Sequence, residues 1–167
     1  MGVQAAVEQK AKTVSPEDAE YNNQLKEFTN QYNGRVKEVN TNFANDLKNT
    51  NNEYTNRIKD IQKEYAERVK NLQNEFNQRT KDENNDLKNI KDKNERAARQ
   101  KEINQARADR AKELAALQKE GPATVANLQK ELKQRQTELN QNKATQLKDL
   151  STAFNETKSY AATAKQR

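Results

Sequence analysis

Tyr21, Tyr32, Phe43, Tyr54, Tyr65 and Phe76 stand 11 residues apart, and Leu87 extends the series. Between them lie Leu25 and Phe28, Val36 and Val39, Leu47 and Thr50, Ile58 and Ile61, and Val69 and Leu72. The steps of 4, 3 and 4 keep all of these side chains on one face of an α-helix. Eleven residues in three turns make about 3.67 per turn, slightly more than a straight helix, so the predicted supercoil is right-handed. A seven-residue repeat would drift off the face. The spacing predicts an all-α chain: a long, extended coiled-coil helix with a hendecad seam.

Composition agrees with a thin core. Of 167 residues, 31% are hydrophobic and 34% charged. A typical globular domain is about 45–50% apolar and about 25% charged. A sphere of this length would need more apolar surface than the chain supplies. A narrow apolar ribbon along extended helices needs much less.

Local signals set the expected boundaries. Residues 1–14 carry no pattern and read as a flexible tail. Ser15-Pro16-Glu17-Asp18 is a helix start: a capping hydroxyl, proline at the first helical position and acids in the first turn. From there to Glu120 no proline occurs, and Gly34 is the only glycine. One helix is therefore expected over 15–120. Within it the stripe weakens between Lys88 and Arg110. It resumes at Ile103, Ala106, Leu114 and Leu117, rotated by about a quarter turn, so this stretch reads as a joint or a change of partner helix.

Gly121-Pro122 reads as a stop and restart, because glycine ends helices and proline begins them. A second, shorter amphipathic helix is expected over 122–167, with its seam at Val125, Leu128, Leu132, Leu139, Leu147, Leu150 and Phe154. Its register continues that of Ile103 to Leu117 straight through Gly121. An αα-hairpin turning at Gly121 is favoured over a kinked rod. In that hairpin the second helix covers only the end of the first. The stripe from Tyr21 to Phe76 then needs helices from other copies to cover it.

The residue inventory narrows the chemistry. Cysteine, histidine and tryptophan are absent. The usual zinc, haem and iron–sulfur ligands are missing, as are the commonest general base and every Ser–His or Cys–His pair. Asp82 and Asp86, or Glu64 and Glu67, form carboxylate pairs on a polar face, where solvation explains them better than catalysis or metal binding. No Gly-rich phosphate loop or nucleophile elbow occurs. No catalytic, cofactor or metal site is expected, and no enzyme.

The net charge of +6 grows along the chain: residues 1–60 carry 8 basic and 9 acidic side chains, residues 121–167 carry 8 and 4. No run of five Lys or Arg occurs, and acids interleave the basic stretch from Lys88 to Lys119. No stretch approaches the roughly 20 apolar residues of a membrane span, and MGVQAAVEQK has neither the basic nor the apolar part of a secretory signal. The expected protein is soluble and made in the cytoplasm.

These features predict a structural protein, a rod that packs with copies of itself or with other helical structural proteins. Its composition is similar to that of Asn-, Gln- and Ala-rich helical proteins of bacteriophage virion interiors and tails, so a place in a virion or other large particle is the expected setting. Two other readings stand beside it: a nucleic-acid-associated protein using the basic C-terminal half, and a membrane-surface amphipathic helix. The narrow seam disfavours the second.

Overall fold

The computed structural model describes residues 15–166; the tail expected over 1–14 lies outside them. The described residues are helical except at the start and at one turn, and form two helices, α1 (Pro16–Asn89) and α2 (Lys93–Gln166), in a hairpin-like arrangement. Each is 74 residues long.

The start of α1 follows from its sequence. The Asp18 amide donates to Ser15 Oγ at 3.1 Å and the Ala19 amide to the Ser15 carbonyl at 2.8 Å. Ser15 is thus the N-cap, and Glu17 and Asp18 sit where the helix dipole favours acids.

The position of the turn corrects the sequence-based expectation. The chain reverses at Ile90–Asp92, inside the stretch where the stripe weakens, and not at Gly121-Pro122. Pro122 lies inside α2, whose helix runs through it unbroken. The second helix is therefore as long as the first, and the expected helix over 15–120 is two segments.

The turn is held by side chains. The Asn94 amide lies 3.4 Å from Asp92 Oδ1, and the Arg96 amide donates to the Asp92 carbonyl at 2.9 Å. Asp92 is the N-cap of α2. The Arg96 guanidinium donates through Nε, at 3.0 Å, and through Nη2 to the carbonyl of Ile90. It satisfies an oxygen that has left the helix ladder.

The described part falls into two compact units. One comprises residues 49–135 and contains the turn; the other brings 15–48 together with 136–166. Among the described residues the buried hydrophobic side chains, Tyr54, Ile103, Val125 and Leu128, all belong to the first.

Candidate assembly interface

Within the unit that contains the turn, three aromatics of α1 face α2. Tyr54 is 6% exposed and its hydroxyl lies 3.5 Å from Glu131 Oε2. Tyr65 donates its hydroxyl proton to Glu120 Oε1 at 3.0 Å, with its ring over Gly121. Phe76 lies under the guanidinium of Arg110, 5.9 Å from its ring centroid. Within the other unit, the rings of Tyr32 and Phe154 stack at 4.6 Å and 21°. Lys143 places its ammonium 4.5 Å from the centroid of Phe43.

The residues that meet these aromatics share a numbering. Arg110, Gly121, Lys143 and Phe154 belong to one series on α2 with 11-residue spacing, as Tyr32, Phe43, Tyr65 and Phe76 belong to one on α1. Leu132 fills the remaining place of the α2 series and is half-buried, next to the Glu131 that meets Tyr54. The five aromatics from Tyr32 to Phe76 thus meet chemically different partners at or beside successive members of one series. This corrects the expectation that the stripe is bare within one chain: α2 packs along it from Tyr32 to Phe76 and covers it in part, because the turn lies at Ile90–Asp92 and not at Gly121-Pro122.

Gly121 is where that geometry is tightest. A Cβ on it would lie 3.1 Å from both Cβ and Cγ of Tyr65. These atoms sit close to the α1 backbone and cannot swing aside. Its φ is not positive, so close approach, and not a turn, calls for glycine here. The missing Cβ also eases the clash a proline imposes on the residue before it, so the helix can pass through Pro122. Gln62, Tyr65, Ala66, Val69, Leu117, Gln118, Gly121, Pro122 and Val125 line a shallow, largely apolar groove of roughly 430 Å³ at this point.

Nearer the turn the interface is ionic. Arg110, 8% exposed, donates from Nη1 to Glu83 Oε2 at 3.0 Å and from Nη2 to Oε1. Arg107 adds Nε to Glu83 Oε1 at 3.3 Å and Nη2 to Asn84 Oδ1 at 2.9 Å. The hydrogen-bonded Arg110 holds the Glu83 carboxyl below the usual carboxylate range, although burial works against it; Arg107 adds to the effect. Glu83 in turn raises Arg110 above its ordinary value. Glu83 stands 11 residues after Leu72, and Arg110 11 before Gly121. The pair occupies positions that are apolar one repeat away.

Each predicted seam residue can now be placed. In α1, Tyr54 is buried, and Tyr21, Leu25, Phe28, Tyr32, Val36, Val39, Phe43, Leu47, Ile58, Ile61, Tyr65, Val69, Leu72, Phe76 and Leu87 are half-buried. In α2, Val125 and Leu128 are buried, and Leu132, Leu139, Leu147, Leu150 and Phe154 half-buried. Glu83, Arg110 and Lys143 join them as polar members that a search for apolar residues passes over. The 11-residue count alone would have found all three.

Three of the four paired carboxylates have ordinary partners. Asp82 accepts from Gln78, Asp86 lies 3.7 Å from Arg99, and Glu64 lies 3.7 Å from Arg68. Among the described residues no group of three or more carboxylates is placed to hold a metal ion. None of their helices is long and apolar enough to cross a membrane. No protein-family model matches the chain, and no curated protein or solved structure matches it either.

Proposed function

We propose that the chain is a non-enzymatic assembly element, a helical hairpin that packs with copies of itself into a bundle inside a larger particle. The observation that carries this reading is the incomplete burial of its seam. After α1 and α2 have paired, Phe28, Val39, Ile61, Val69 and Leu72 remain only half-buried. Two helices enclose a line of contact; the flanks of each ribbon stay open until further helices cover them. Repeated over many turns, those flanks offer more apolar surface than single scattered residues do. Right-handed winding on an 11-residue beat belongs to this reading, since it keeps both flanks in line along each helix.

The nucleic-acid alternative draws less support. Arg96, Arg99, Arg107 and Arg110, central to the basic stretch, are engaged with the Ile90 carbonyl, Asp86, Glu102 and Glu83. Guanidinium groups used within the chain are less available to phosphates.

Size-exclusion chromatography with light scattering tests the proposal. The wild-type chain is expected to exceed monomer mass. Val69→Asn with Leu72→Asn should lower the mass while the circular-dichroism helix signal stays, whereas Lys63→Asn, on the polar face, should change neither. A chain that is helical and monomeric at every concentration sinks the reading.

A further inference from the structure

We infer that α1 and α2 carry a pairing code that works between chains as well as within one, so that two copies exchange helices through the turn at Ile90–Asp92. This deepens the assembly reading by naming one way in which copies join.

The turn is the first support. It spans three residues, contains neither glycine nor proline, and uses no positive φ. Tight reversals usually rely on such residues. Here the reversal is held by side chains that stay local to α2, the Asp92 cap and the Arg96 grip on Ile90. Both can persist when the two helices swing apart. A short connection closing two long helices is the type of hinge at which exchange costs least.

The contacts are the second support. A bare 11-residue repeat allows a helix to slide by one repeat and still match apolar to apolar. The α2 series does not allow this, because its members differ: arginine, glycine, leucine, lysine and phenylalanine at 110, 121, 132, 143 and 154. Sliding by one repeat would set Leu132 against Tyr65, where a Cβ alone already meets the ring at 3.1 Å. It would also separate Arg110 from Glu83 and break their paired hydrogen bonds. The partners therefore specify one antiparallel register. An α2 from another copy presents the same residues, and the exchanged pair recovers every interhelical contact. Only the turn differs between the two forms, so protein concentration sets which one prevails.

The seam adds a detail. In the 11-residue frame the α2 stripe runs one position later than that of α1, about 100° round a helix. The exchanged hinge is therefore expected to keep its break and not become continuous helix.

The absence of cysteine permits a direct test. Tyr32→Cys in one tagged copy and Phe154→Cys in a differently tagged copy are refolded together and oxidised. The expected result is a disulfide joining the two tags, lost when four Gly/Ser residues are inserted after Lys91. The double variant Tyr32→Cys/Phe154→Cys with that insertion should instead close within one chain. Three results overturn the inference: no bond between copies while the double variant closes internally, a bond between copies that survives the insertion, or no bond in any variant. An oligomer in light scattering without the crosslink removes exchange and leaves side-by-side packing. A monomer removes both.

Discussion

Two glycines in helical positions should respond to the same substitution with opposite signs. A Cβ at Gly34 meets no neighbouring atom within 4 Å, so Gly34→Ala gains only helix propensity, about 1 kcal/mol of stability. At Gly121 the same gain opposes a 3.1 Å contact with the root of the Tyr65 side chain. Overpacking of this type costs about 1–3 kcal/mol, and alanine before a proline resists the helical conformation. Gly121→Ala should therefore lower the thermal midpoint while Gly34→Ala raises it. Glu83 supplies a second prediction at this scale. Its folded-state pKa lies below the unfolded one, so its contribution is present above the unfolded value and disappears as pH falls through the folded one. Acid titration of stability should show a loss beginning near pH 4–5 in the wild type. Glu83→Gln should lack that component and be less stable at neutral pH by about 1 kcal/mol, since Arg110 then loses its counter-charge. Urea melts of both forms across pH 3–7 measure it.

Helices in this chain are specified unevenly, and that decides what could be read without coordinates. The start of α1 was legible because Ser15-Pro16-Glu17-Asp18 states it in local chemistry that tertiary packing does not override. The aromatic spacing marked the face of α1 that packs against α2 because packing requires neighbours on one side. The reversal was misplaced because glycine and proline each serve two purposes. At Gly121 the glycine makes room for Tyr65 and the proline sits in a helix that packing sustains. Composition cannot separate a break from a notch. The true start of α2 did carry a signal in Asp92 and Glu95, three apart, the spacing of a capping box, although it lacked a glycine or proline to draw notice. Two element-scale predictions follow from that difference. Asp92→Ala removes the cap and should cost about 1 kcal/mol. Pro122→Ala restores a helix bond and relieves the ring clash, and should stabilise α2 by up to about 3 kcal/mol. A turn at Gly121-Pro122 would predict the reverse order, so thermal melts of the two variants separate the two arrangements.

For the molecule as a whole, the question is how much of its stability resides in one chain. Among the described residues only four large hydrophobic side chains are buried, and all lie in the unit that contains the turn. The unit that holds both helix ends relies on half-buried contacts such as Tyr32 on Phe154 and Lys143 on Phe43. Half-buried side chains contribute only part of their transfer free energy, so this unit is the one expected to open first. If neighbouring copies complete the burial, its stability becomes a function of protein concentration. For a chain of this length, a tenfold rise in concentration of a self-associating form should then raise its melting midpoint by roughly 2 °C. Phe28→Asn, in the unit that gains most from neighbours, should reduce that dependence. Gly34→Ala, which meets nothing, should raise the midpoint at every concentration and leave the slope unchanged. A midpoint constant over a hundredfold range would mean that the hairpin is complete alone and that its open flanks serve a different partner.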